Sequence, residues 1–209
     1  MEGATSWIEA AGRWPRWVWA LLVLAALGLW LARAYNRLQA LQNRVANAFG
    51  QIDVQLKRRH DLIPNLVEVA RRYLRHEHDT LQAVIEARGR AQQAERRAAA
   101  APVDAAALGA LAGAEAALGG ALGRLFALAE DYPELKADQT LRELREELAH
   151  TENRIAFARQ AYNDEVLAYN DTARHFPTLV AARLFGFAVL PPLQATGSEE
   201  ERQPPRVRL

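Results

Sequence analysis

The sequence predicts an all-α protein: a transmembrane helix at the N-terminus, then long helices packed into a bundle. Three observations carry this. Trp17 to Ala32, WVWALLVLAALGLWLA, is an uninterrupted apolar run. From Val45 onward apolar residues repeat in heptads, with Val45, Ile52, Leu66 and Tyr73 on one row and Phe49, Leu56, Ile63, Ala70 and Val84 beside it. A second row, Leu141, Leu148, Ile155, Tyr162, Tyr169 and Phe176, returns every seven residues near the C-terminal end.

The apolar run is shorter than the ~20 residues a spanning helix prefers, but aromatic residues mark both its ends: Trp14, Trp17 and Trp19, then Trp30 and Tyr35. At 1.5 Å per residue, Trp14 to Tyr35 covers roughly 31 Å, about one hydrocarbon thickness. A cleavable signal peptide competes, because Ala32 and Ala34 have cleavage-site spacing. The aromatic belt, and a polar helical pattern that begins at Tyr35 with no linker, favour an uncleaved anchor over residues 17–34 behind a short flank, residues 1–16. Arg13 and Arg16 precede the run while Arg33, Arg37 and Arg44 come after it, which leans weakly toward a cytoplasmic C-terminal domain.

The heptad register passes Pro64 without slipping, so one long helix is expected from about Ala34 to Arg97, kinked near Pro64 where the bond to the carbonyl of His60 is lost. The alternative is a break there, with Asp61 as N-cap. Pro102 in AAAPVD stops the pattern, and Asp104 can cap the next helix. That helix is rich in alanine and glycine. Glu115 and Arg124 argue against a second span, and Gly109 with Gly113 suits close packing against another helix. A short helix is expected to restart at Pro177 and end near Gly186. Residues 191–209, rich in proline and charge and without aromatics, read as a disordered tail.

Composition excludes several classes of function. Lys and Arg number 26 against 25 Asp and Glu, a net charge of +1, so nothing calls for a nucleic acid. With no cysteine, disulfides, thiolate catalysis and Cys-ligated metals are excluded. HEHD, His76 to Asp79, is no zinc-protease pattern, since its histidines point roughly 200° apart on a helix. His60, His150 and His175 stand alone, with no nucleophile elbow and no glycine-rich phosphate loop in the chain. No catalytic residue, cofactor or metal ligand is assigned.

The candidate residues are structural or partner-binding. In the block Lys57, Arg58, Arg59, His60, the heptad places Arg59 inward and Lys57 and Arg58 outward. On a continuous helix the block lies roughly 37 Å beyond Ala32, against a Debye length of ~8 Å, too far to feel lipid headgroups. Arg59 and Glu77 fall on inward rows and need partners, for which Glu152 and Glu165 are candidates. Two YN pairs, Tyr162-Asn163 and Tyr169-Asn170, place tyrosines on the seam, where a hydroxyl needs a partner, and leave the asparagines exposed. Asp61, Pro64, Asn65 and Asn153 complete the set.

The blocks IDVQLKRRHDLIPNLVEVARRYLRHEHDTLQAVIEAR (52–88), ENRIAFARQAYNDEVLAYN (152–170) and FPTLVAARLFGF (176–187), in order behind one hydrophobic segment, resemble the LemA family. The resemblance implies a bacterial inner-membrane protein whose domain, residues 35–190, is an antiparallel up-and-down four-helix bundle, with the small N-terminus outside. Phe49 departs from it, since relatives tend to carry tryptophan there. It brings no enzymatic activity and no cofactor to carry over. The expected function is therefore a non-enzymatic scaffold or adaptor, bound to the bilayer through residues 17–34 and to other membrane or envelope proteins. A homo-oligomeric membrane organiser, and a metal- or ligand-dependent enzyme using His76, His78 and the Arg59 region, are the alternatives.

Overall fold

The computed structural model describes residues 15–193, most of them in helices, with no strand among them. The flank before residue 15 and the tail from residue 194 lie outside the described residues. Six helices succeed one another: α1 (Arg16–Tyr73), α2 (His78–Ala100), α3 (Ala105–Glu130), α4 (Pro133–Ala137), α5 (Gln139–Arg174) and α6 (Thr178–Phe185).

α1 begins at Arg16, one residue before the apolar run, and continues through Pro64. Asp61 therefore caps nothing; it sits exposed in a helix interior. The expected helix to Arg97 is corrected, because the chain stops at Tyr73 and restarts at His78. Leu74 closes the turn, fully buried, with its N–H on the Ala70 carbonyl and its own carbonyl accepting from the Glu77 N–H. α2 then runs back along α1, so that Arg88 and Glu95 come beside His60. Heptad counting cannot see this reversal: Ala70 and Val84 are two heptads apart, and both are buried whether or not the chain turns between them.

α3 starts where Asp104 accepts a hydrogen bond from the Ala106 N–H at 3.0 Å. Its buried stripe, Leu108, Leu111, Glu115, Leu118, Leu122 and Leu125, advances by three or four residues per step. That stripe turns Gly109 and Gly113 outward. Both are exposed, with nothing within 4 Å of where a Cβ would stand, which corrects the close-packing role expected of them. α5 begins with Asp138 accepting from the Leu141 N–H, and it buries Leu141, Leu148, Ile155, Tyr162 and Tyr169. The seam ends there. Phe176, expected to extend it, lies beyond the last turn of α5 and is 82% exposed. α6 ends at Gly186, whose φ of 73° is the left-handed conformation that a glycine adopts without strain.

The described residues form two compact units, 41–170 with 189–193, and 15–40 with 171–188. In the first, Ile63, Leu66 and Leu74 of α1 share one core with Val84 of α2, Leu118 and Leu125 of α3, Leu135 of α4, and Leu141 and Leu148 of α5. In the second, Ala34, Leu38, Ala173, Ala181 and Ala182 are buried, and Tyr35 packs edge-on against Phe185 and Phe187.

Candidate functional site

Arg59 and His60 are neighbours on α1 and both point inward. Position 60 lies four residues after Leu56 and three before Ile63, on the buried face of a helix. A buried cation is tolerated only where it is paired and hydrogen-bonded, and α3 and α5 supply the partners. Arg59 Nη1 lies 3.1 Å from Glu115 Oε2 on α3 and 3.1 Å from Glu152 Oε2 on α5. His60 is completely buried, with Nε2 2.8 Å from Glu115 Oε1 and Nδ1 3.0 Å from Glu95 Oε2 on α2. Glu115 therefore serves Arg59 with one oxygen and His60 with the other. Lys57 and Arg58 are exposed and pair with Asp53 and Glu147.

The chain of contacts Asp53, Glu95, His60, Glu115, Arg59, Glu152 thus crosses α1, α2, α3 and α5. At its α2 end, burial pushes the Glu95 carboxyl up; the hydrogen bond with Asp53 acts the same way, and His60 opposes them. Asp53 Oδ1 is buried without a donor. Two ionised carboxylates side by side offer only acceptors, which is why the Asp53 contact raises Glu95. Beside Arg59, a cleft of about 460 Å³ opens between α3 and α5, bordered by Gly119, Gly120, Phe126 and Glu152. Every charged group of this network is engaged by another, and no nucleophile joins them. Among the described residues no cluster of His, Asp and Glu is placed to hold a metal ion.

Pro64 has no N–H for the carbonyl of His60, which would leave a buried acceptor unpaired. Arg88 of α2 takes that place, its Nε donating to His60 O at 2.7 Å. Pro64 and Asn65 themselves are exposed.

The YN pairs form a second arrangement. Asn163 accepts from the Leu193 N–H at 2.8 Å and donates to the Leu193 carbonyl at 3.2 Å. Asn170 does the same with Leu190, at 2.9 and 2.7 Å. The two asparagines stand roughly 10.5 Å apart along α5, and three extended residues cover about the same distance. Between the clamped residues, Pro191 and Pro192 have no N–H to satisfy. The asparagines expected to need no partner are therefore the ones that hold the chain, and residues 191–193, placed in the expected tail, are ordered against α5. The Tyr162 hydroxyl reaches the Pro102 carbonyl at 3.4 Å, and burial pushes its pKa up to about 12; Tyr169 is raised by burial too.

Of the expected residues, Arg59 and Glu152 meet, and Asn163 and Asn170 share one clasp. Glu77 instead precedes α2, where it accepts from the Tyr132 hydroxyl at 3.3 Å. Asn153 is exposed. Glu165, offered as a partner for Arg59, lies roughly 20 Å further along α5 than Glu152, and Glu115 takes its place. Sequence reasoning misses His60, Glu95 and Glu115. For Glu115 a signal exists: it is the only acidic residue between Asp104 and Glu130.

A family model, the LemA family, matches residues 48–209. The magnetosome protein MamQ of Magnetospirillum gryphiswaldense is 26% identical over 186 residues, covering 80% of this chain and 67% of its own. Magnetosome protein MamQ 2 of Paramagnetospirillum magneticum is 28% identical over 199 residues, covering 84% and 71%.

Proposed function

The chain belongs to the LemA family, and on that premise we propose that it is a single-pass, membrane-anchored scaffold or adaptor without enzymatic activity. Residues 17–34 form the anchor and residues 35–190, with the clasped residues 191–193, the family's up-and-down four-helix bundle with a bend near Pro64. The bundle faces the cytoplasm from the inner membrane and docks other membrane or envelope proteins. The observation that carries this is the apolar stretch of α1, whose side chains lie open: Trp17 is 64% exposed and Val23 66%. Such a surface is stable only in lipid or against another protein. Arg59, His60, Glu115 and Glu152 act as register residues, fixing which helix faces lie together rather than binding a ligand. Phe157 and Leu167 of α5, 73% and 69% exposed, offer apolar contact points for a partner. The relatives named as magnetosome proteins accord with a role at a membrane.

The test is affinity capture of the intact anchored chain from native membranes, beside a chain lacking residues 1–34. Reproducible partners for the anchored form are expected, and none for either form refutes the adaptor role. A homo-oligomeric organiser separates from it by crosslinking in membranes, where only copies of this chain are captured.

A further inference from the structure

The unit made of residues 15–40 and 171–188 has an outer surface that water alone does not account for. Phe176 is 82% exposed, Val180 49%, Leu184 65% and Phe185 47%. α6 turns Ala181 and Ala182 inward and keeps Val180, Leu184 and Phe185 outside, the reverse of what a water-facing helix does. The location of this face is fixed by aromatic contacts. Tyr35, directly after the apolar run, lies 5.1 Å from Phe185 and 5.5 Å from Phe187, ring centre to ring centre. If residues 17–34 span the bilayer, Tyr35 stands at its boundary, and α6 stands there with it. The charges fit the same place: Arg33, Arg37, Arg174 and Arg183 are exposed, and Asp171 is the only acidic residue among the described residues of this unit.

We propose that α6 and the preceding Phe176 are an interfacial membrane element, lying with Phe176, Val180 and Leu184 in the headgroup–acyl boundary of the leaflet through which α1 leaves the bilayer, and with the arginines among anionic headgroups. This rests on the anchor reading of residues 17–34. The partner is lipid rather than a protein groove, because the helix that carries the exposed apolar face packs its Phe185 on the boundary tyrosine, and the unit sets these four exposed arginines against one acidic residue.

The chain has no cysteine, so single labels are clean. Full-length Phe176→Cys and Leu184→Cys, each carrying a nitroxide, are placed in nanodiscs of phosphatidylcholine with phosphatidylglycerol. Leu24→Cys serves as the buried reference and Glu146→Cys as the aqueous one. Accessibility to oxygen and to a nickel chelate then reports depth. Both test labels are expected to favour oxygen, between the two references. If they are as open to nickel as position 146 while position 24 favours oxygen, the interfacial element is refuted and the anchor stands. If position 24 is itself open to nickel, the anchor fails and the inference fails with it. Labels shielded from both reagents overturn it in favour of a protein covering the face.

Discussion

Arg59→Met tests the charged network most directly. The Arg59 side chain, 11% exposed, sits between those of Glu115, at 6%, and Glu152, at 45%. Removing it returns Glu152 to water but strands the second oxygen of Glu115, for which only His60 remains. Breaking a buried ion pair from one side costs 3–5 kcal/mol, and the surviving His60 contact places this case near the lower end, about 3 kcal/mol. For a chain of this length that corresponds to a fall in Tm of about 6–12 °C. Lys57→Ala, at an exposed ion pair, should stay within about 1 kcal/mol. Adding Glu115→Gln to Arg59→Met should recover at least half of the loss, since the amide oxygen still accepts from His60 while the stranded charge is gone. The assay is thermal and urea denaturation of the full chain in nanodiscs, monitored by helical circular dichroism. If Arg59→Met costs no more than Lys57→Ala, or the double variant is no better than the single, Arg59 does not hold the helices in register.

Arg88→Met leaves the His60 carbonyl without a donor and should cost about 1–3 kcal/mol, and Pro64→Ala in the same chain should restore most of it by supplying an N–H; a denaturant double-mutant cycle reads the coupling. Asn170→Ala should speed exchange of the Leu190 amide about 10- to 100-fold with little change at core amides, whereas Asn170→Asp, which keeps the acceptor, should preserve most of that protection; hydrogen exchange by mass spectrometry distinguishes them. Because the folded Glu95 carboxyl is raised, the native state holds more protons than the unfolded chain above pH 4.5, so stability should fall as pH rises through the folded pKa. Glu95→Gln should flatten that slope, which urea titrations across pH 5 to 8 would show. Gly113→Ala, at an open helical position, should stabilise by about 0.5–1 kcal/mol, seen as a higher urea midpoint with an unchanged m-value.

The helices are legible in sequence where periodicity alone decides. The rows of α1 and α5, the Asp104 cap and the Gly186 stop all come from spacing and residue type. What periodicity cannot carry is the direction of the chain, and so the turn at Leu74 reads as uninterrupted helix. The charged network is half legible. Arg59 can be placed inward from its row, but its first partner, Glu115, comes from a helix whose glycine and alanine content masks the one acid in its interior. His60 escapes because a lone histidine has no signal in sequence, although its position between Leu56 and Ile63 is a buried one. The asparagine clasp is illegible for a different reason. Its ligand is main chain, and a backbone N–H and carbonyl carry no residue signature.

The contact between Tyr35 and Phe185 also has a consequence in time. About 150 residues separate them, and at 5–20 residues per second a ribosome takes on the order of 10–30 s to cover that distance. For that interval the tyrosine is already made and the ring that packs on it is not. The segment around Tyr35 therefore passes that interval in a setting other than its final one, and the unit built on it closes only after nearly all of the bundle has been made.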